Sequence, residues 1–163
     1  MNPKKILVAV DASANALRAI DYVGEVVAGR PGFKVRLLCI EQLPHRDLFE
    51  NEESWVQACR NGRAEFEDFL EQGRERLLAM GMSEEEVEKN YVAFCHSPFN
   101  DQTSRCSMGT SVALEILETV KSGGFGTVVV GRRGLSKAEE FLFGSVSNKI
   151  VHSARDCTVW VVS

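Results

Sequence analysis

The sequence predicts an α/β protein built on a doubly wound parallel sheet with helices on both faces. Short apolar runs alternate with longer segments of helical period, a pattern typical of strands joined by crossover helices. The first run, Ile6 to Val10, is continuously apolar, as expected for a strand that is covered on both faces. The 163 residues are 44% hydrophobic and 26% charged, which is ordinary for a globular chain. We therefore expect a single domain over 1–163.

The first half of the chain is predicted to hold two strands and two helices. After the strand at 6–10, Ser13 caps a helix whose apolar residues recur at helical spacing until Gly29. A second strand follows at 35–40, and a polar, irregular connection leads on from Glu41 to Glu53. The next helix runs from about 56 to 80. Its buried stripe is predicted to comprise Phe66, Phe69, Leu70, Leu77 and Leu78.

The second half is predicted to complete the sheet with three further strands. Ser83 and Glu86 have the spacing of a capping box that opens one helical turn. The segment 96–109 is rich in Pro, Asn, Asp and Ser, which favour turns. The remaining predicted elements are a strand near 91–95, a helix from 110 that ends at Gly123 and Gly124, a strand at 127–130, a helix at 145–154 and a strand at 158–162.

A group of glycines and serines lies where the strand at 127–130 passes into the last helix. Glycine lets the backbone approach an anion closely, and the first N–H groups and the dipole of a helix favour negative charge. The serine hydroxyls can also donate to phosphate oxygens. An arginine here can clamp phosphate, although arginine is also common on protein surfaces. The predicted phosphate-binding residues are Gly131, Arg133, Gly134, Gly144, Ser145, Val146 and Ser147.

The spacing of these glycines matches neither common nucleotide fingerprint. Gly-x4-Gly-Lys-Ser/Thr and Gly-x-Gly-x-x-Gly are both absent. The pattern Gly-x2-Gly-x9-Gly-Ser, filled by Gly131, Gly134, Gly144 and Ser145, closely resembles that of the universal stress protein family. The flanking segments 128–136 and 143–148 and the opening segment 5–13 are similar to that family as well.

The resemblance implies a Rossmann-like fold, similar to the adenine nucleotide alpha hydrolases, with strand order 3-2-1-4-5. The segment 96–109 then counts as an insertion. In this order a crevice opens between strands one and four, where Asp11 would face the glycine loop. Asp11 would bind ribose hydroxyls or help hold Mg²⁺; the alternative is a helix cap or a solvated loop acid. By resemblance, Ala9, Val10 and Ile40 line the base pocket and Val130 closes it.

The function implied by the resemblance is an ATP-binding stress-response or signalling protein. The cofactor would be ATP or another adenine nucleotide with Mg²⁺. The chain would form a homodimer through its apolar last strand, at 157–162, which would otherwise be an uncovered sheet edge. We predict no catalytic residue and at most slow ATP hydrolysis or autophosphorylation. The alternatives are such a slow enzyme and a nucleotide-free interaction module.

Charge, cysteine content and hydropathy exclude several other classes. A net charge of −4 leaves no excess of positive charge for a nucleic-acid backbone. Five scattered cysteines argue against a disulfide framework, and they favour the cytoplasm as the location. We expect no metal site, but a zinc site or a redox pair formed by Cys95, His96 and Cys106 stays open as an alternative. No apolar run is long enough for a signal peptide or a membrane span.

Overall fold

The computed structural model describes residues 1–100, 106–132 and 144–163. Five strands form one parallel sheet: β1 (Asn2–Ala9), β2 (Lys34–Ile40), β3 (Val87–Val92), β4 (Phe125–Gly131) and β5 (Thr158–Val162). Their order is β3-β2-β1-β4-β5, and every neighbouring pair is parallel. The predicted fold class and strand order are therefore confirmed.

In the described part of the chain, four α-helices and two short 3₁₀ turns connect the strands. The helices are α1 (Ala14–Val27), α2 (Glu52–Ala79), α3 (Val112–Gly123) and α4 (Ser145–Ser153). The 3₁₀ turns span Arg46–Leu48 and Glu84–Glu86. None of the helices in the described ranges is long and apolar enough to cross a membrane.

Several predicted element bounds need correction. Strand β1 begins at Asn2 and not at Ile6, and α3 begins at Val112 and not at residue 110. The third strand, predicted near 91–95, runs instead over Val87–Val92. Among the described strands it lies at the edge and pairs with β2, so Glu88 and Lys89 are exposed and Asn90 is partly exposed. These polar residues hide the apolar signal of a strand. Helix α2 begins at Glu52, earlier than predicted, because the Asn51 side chain accepts a hydrogen bond from Ser54 N at 2.8 Å and caps it.

The sheet separates two apolar cores. Residues Ile6, Val8 and Val10 alternate onto the face that is covered by α1 and α2. Leu7 and the partly buried Ala9 point to the opposite face, where α3 and α4 pack. Because β1 lies at the centre of the sheet, both of its faces are buried, which explains the continuously apolar run in the sequence.

Two of the five cysteines are paired. Cys95 and Cys106 form a disulfide with a Cα–Cα distance of 4.9 Å, whereas Cys39, Cys59 and Cys157 are free. The sequence argued against a disulfide framework and left a redox pair of Cys95 and Cys106 open as an alternative, and the structure contains this one bridge. Within the described residues, a parallel bridge between Phe94 and Ser107 brings the two cysteines together. Their separation of eleven residues in the sequence does not predict this contact. In this state the two sulfurs bind each other and cannot bind zinc.

Candidate functional site

A pocket of about 350 Å³ opens at the carboxyl ends of β1, β2 and β4. The order of the strands reverses between β1 and β4, and ligands of open α/β sheets bind at such switch points. The volume lies within the range of small-molecule sites. The pocket is lined by Ala9, Val10, Asp11, Leu38, Ile40, Gln42, Phe66, Val112, Ile116, Val130, Gly131, Gly144, Ser145, Val146 and Ser147.

The pocket brings together the predicted site residues that the structure describes. They come from three places in the sequence: the end of β1, the end of β2, and the passage from β4 to α4. The predicted Arg133 and Gly134, like the apolar residues 141–143, lie outside the described residues.

Five lining residues were not predicted from the sequence. They are Leu38, Gln42, Phe66, Val112 and Ile116. Leu38 precedes Ile40 by two positions, so strand alternation places both on the same face, and this signal could have found it. Val112 and Ile116 are spaced by four on α3, a pattern that in the sequence indicates only the buried face of a helix.

One part of the pocket wall is apolar. Leu38, Ile40 and Val130 belong to the core between the sheet and helices α3 and α4. Ile116 of α3 is buried in the same cluster and faces the same pocket. Aliphatic side chains of two strands and a helix thus form walls that suit a flat heterocycle better than a charged group.

The turn between β1 and α1 brings Asp11 to the pocket. Ser13 is the cap of α1, because its Oγ accepts a hydrogen bond from Ala16 N at 3.1 Å. Asp11 instead accepts one from Ser13 N through Oδ1 at 3.3 Å. Ala12 between them has φ = 58°, a left-handed conformation that is uncommon for a residue with a side chain. The cap alternative for Asp11 is therefore not adopted, and Asp11 is one of the residues that line the pocket.

Helix α4 begins at the opposite side of the pocket. Gly144 N donates to Arg132 O at 2.8 Å, and Ser147 Oγ donates to the same carbonyl at 2.8 Å. Ser147 is 3% exposed, so its hydroxyl holds the start of α4 against the end of β4. Ser145 has an exposed side chain. The first intrahelical bond runs from Asn148 N to Gly144 O, and the three preceding helical amides have no partner within the helix.

Gly131 permits close contact between β4 and α1. A Cβ at this position would lie 3.0 Å from Asn15 Cβ and 3.2 Å from its carbonyl carbon. A side chain at residue 131 would therefore require the end of β4 and the first turn of α1 to move apart by a few tenths of an ångström.

The two ends of the pocket differ in charge. The amino end of α4 has partial positive charge from its dipole and from its first amides, which have no partner within the helix. Among the described lining residues, Asp11 is the titratable side chain, and it lies in the turn after β1. Lys149 of α4 donates to Ser111 Oγ, the cap residue of α3, at 3.1 Å and ties the two helices together beside the pocket. This arrangement can bind an anion at one end and hydroxyl groups or a cation at the other.

Comparison with known proteins gives a consistent result. The model of the Universal stress protein family matches residues 2–163. No curated protein matches the chain. The universal stress protein UspA from Lactobacillus plantarum is structurally similar, with a TM-score of 0.68 at 17% identity, covering 100% of this chain and 99% of that one.

Two further similar structures contain nucleotides. One is a universal stress protein in complex with cAMP, with a TM-score of 0.63 at 19% identity, covering 97% of this chain and 94% of that one. The other is the universal stress protein from Archaeoglobus fulgidus in complex with dAMP, with a TM-score of 0.61 at 18% identity, covering 98% and 97%. At these identities the structural likeness establishes the fold, and the family match over nearly the whole length shows that the chain belongs to the universal stress protein family.

Proposed function

We propose that the pocket binds an adenine nucleotide, ATP with Mg²⁺ in particular, and that the protein is a nucleotide-dependent stress-response or signalling dimer of the cytoplasm. The observation that carries this proposal is the division of a single pocket into an apolar part and a helix amino end. A nucleotide has the same division, with a flat base at one end and phosphates at the other.

The apolar part of the pocket suits the base. Leu38, Ile40 and Val130 offer aliphatic surfaces on the sheet, and Ile116 offers one on α3. The backbone beside Ile40 would read the edge of the adenine ring. The relatives in complex with cAMP and dAMP support an adenine ligand, since both molecules contain this base.

The amino end of α4 suits the phosphates. The amides of Ser145, Val146 and Ser147 begin the helix, and the backbone of Gly131 and Gly144 lines the same part of the pocket. The Ser145 hydroxyl would donate to a phosphate oxygen. In the predicted site Arg133 and Gly134 extend this surface along the phosphate chain.

Asp11 would bind the ribose hydroxyls or Mg²⁺ on the phosphates. A binding role fits better than rapid catalysis, because the described lining contains a single carboxylate, that of Asp11, and no cationic side chain. Fast phosphoryl transfer requires a positioned nucleophile and cationic groups around the phosphate. We therefore expect at most slow hydrolysis in a single-turnover assay.

The test is direct measurement of nucleotide binding. Mass spectrometry of the freshly purified protein should detect an adenine nucleotide, and calorimetry should give tighter binding for Mg-ATP than for AMP. The Val112→Trp variant, which fills the pocket from α3, should weaken ATP binding at least about tenfold, or 1.4 kcal/mol. Leu114→Trp on the same helix is the control, because Leu114 is 48% exposed and outside the pocket lining. Wild-type protein that binds no nucleotide at millimolar concentration contradicts the proposal.

A further inference from the structure

The Cys95–Cys106 disulfide lies beside the pocket and has no part in the proposed nucleotide contacts. Cys95 follows β3 by three residues, and Cys106 precedes α3 by six. Both residues are partly exposed, so the bridge lies near the protein surface. The remaining cysteines are free, and of these Cys39 and Cys59 are buried.

The disulfide fastens a short segment to the end of β3. Cys95 N donates to Ser107 O at 2.8 Å, and Ser107 N donates to Ala93 O at 2.7 Å. Phe94 and Ser107 form a parallel bridge between these two bonds. The covalent link is thus part of a small extension of the sheet, next to the first turn of α3.

This segment is bonded to the α3 wall of the pocket. Ser107 is 1% exposed, and its Oγ donates to Glu115 Oε1 in the first turn of α3. Ser107 Oγ also accepts a hydrogen bond from Gly109 N at 3.0 Å. Glu115 lies between Val112 and Ile116, which both line the pocket. The position of Ser107 therefore constrains the helix turn that forms the wall.

The residues on either side of Cys95 are bonded to the end of β2, which forms another wall of the pocket. Glu41 is 5% exposed, and its carboxylate accepts hydrogen bonds from Phe94 N at 2.7 Å and from Ser97 Oγ at 3.2 Å. Glu41 lies between Ile40 and Gln42, which line the pocket. Residues on both sides of Cys95 are thus held by the strand end that would contact the base. The disulfide joins the β2 wall to the α3 wall.

We propose that Cys95 and Cys106 form a reversible redox modification site whose oxidised form stabilises the nucleotide-binding shape of the pocket. This inference rests on the proposed nucleotide function. The reductant is a dithiol: its thiolate attacks one sulfur and forms a mixed disulfide, and its second thiol then releases the protein. Two electrons and two protons pass to the protein, which gains two thiols while the dithiol becomes a disulfide.

Reduction removes the covalent link but leaves the hydrogen bonds, so the two pocket walls become less strongly coupled. The first turn of α3 then samples more positions, and binding must order it at a cost in free energy. The reduced protein therefore binds nucleotide more weakly. By thermodynamic reciprocity, bound nucleotide disfavours reduction by the same factor.

The test compares Mg-ATP affinity in the two redox states. The oxidised protein is identified by a thiol count after denaturation, which should find three free thiols among the five cysteines. This protein is titrated with Mg-ATP before and after reduction by dithiothreitol. We expect the dissociation constant to rise at least about fivefold on reduction, the lower end of typical coupling between sites. The Cys95→Ser/Cys106→Ser variant should show the weaker value without reductant and should not respond to it. The Cys157→Ser control should respond as wild type does.

A second measurement separates failure of the switch from failure of the proposed function. Hydrogen exchange of the amides at 107–116, followed without nucleotide, should be faster in the reduced protein. Equal affinities in both redox states overturn the switch and leave nucleotide binding intact. If the oxidised protein binds no Mg-ATP, the proposed function fails. If, in addition, hydrogen exchange is the same in the oxidised and reduced proteins, the coupling of the disulfide to α3 is overturned as well. If the double variant does not fold, reduction of the wild-type protein still decides the question.

Discussion

Asp11 reaches the pocket because the backbone turns sharply after β1. Ala12 adopts a left-handed conformation, Ser13 caps α1, and Asp11 is one of the residues that line the pocket. A left-handed residue with a Cβ costs about 1–2 kcal/mol, so the remainder of the fold must hold this turn in place. The position of the carboxylate is thus a property of the turn and of the packing around it.

Replacing Asp11 with Ala should weaken Mg-ATP binding by about 1.5–3 kcal/mol, the typical value of a hydrogen bond to a charged group. Calorimetry gives the affinity, and thermal unfolding checks that the fold is retained. Asp47→Ala is the matched control, since Asp47 is an exposed acid in the 3₁₀ turn Arg46–Leu48. Unchanged affinity in the Asp11 variant would mean that this carboxylate only organises the turn.

The Cys39 thiol should be unreactive in the folded protein. Burial raises its pKa to about 12, and the carboxylates of Asp11 and Glu41 act in the same direction. At pH 8 the thiolate fraction is then about a thousandfold below that of a thiol with a pKa near 9. Iodoacetamide labelling followed by peptide mass spectrometry should modify Cys39 only after unfolding. Rapid labelling of the native protein would show that this side chain is not buried.

Local sequence patterns predict part of the site, and the rest follows only from packing. Gly131, Ser145 and Asp11 stand at strand ends and a helix start, where spacing and residue type point to a ligand. Val112 and Phe66 line the same pocket because α3 and α2 are packed where they are. An apolar residue on a helix stripe has the same sequence signal whether it faces the core or a ligand.

At the level of elements, α2 shows how a helix is fitted to its neighbours. Gly73 is buried, and a Cβ there would lie 2.8 Å from Ile20 Cδ1 and 2.9 Å from Leu37 Cδ1. Arg76 Nη1, one turn along, donates to both carboxylate oxygens of Asp21 in α1 at 2.8 and 2.9 Å. Helix α2 therefore packs closely against α1 and β2, and this contact depends on the missing side chain.

Two glycines of α2 should respond in opposite ways to substitution. Gly73→Val should lower the free energy of unfolding by about 1–3 kcal/mol, since the added atoms overpack a buried contact. Gly62→Ala in the same helix should raise it by about 1 kcal/mol, because no atom lies within 4 Å of the added Cβ and alanine favours the helix. Urea unfolding measures both. Stabilisation by Gly73→Val would contradict the close packing.

The strands differ in how well their sequences reveal them. The central strands β1 and β4 are buried on both faces, so their apolar runs stand out. Edge strand β3 contains Glu88, Lys89 and Asn90 and gives no comparable signal. Its bounds follow from pairing with β2, which is a tertiary contact. Sequence patterns therefore locate the centre of this sheet better than its edge.

At the level of the whole molecule, the other edge of the sheet is apolar. Among the described strands, β5 lies at the edge and pairs with β4. Trp160 is partly buried and meets the ring of Tyr22 edge to face at 5.8 Å, and Tyr22 is itself 46% exposed. An apolar edge strand beside an exposed aromatic ring is a surface that a second subunit can cover. The proposed homodimer buries this surface by pairing β5 with its copy.

Val161→Lys should convert the dimer into a monomer, because a charged side chain on the edge strand opposes pairing with a second copy. Light scattering at micromolar concentration should give twice 18.1 kDa for the wild type and 18.1 kDa for the variant. Leu114→Lys is the control, since it places the same charge at an exposed apolar residue of α3 and should leave the dimer intact. Circular dichroism checks that each variant is folded. A wild-type mass of 18.1 kDa would show that β5 remains an open edge and would separate nucleotide binding from dimer formation.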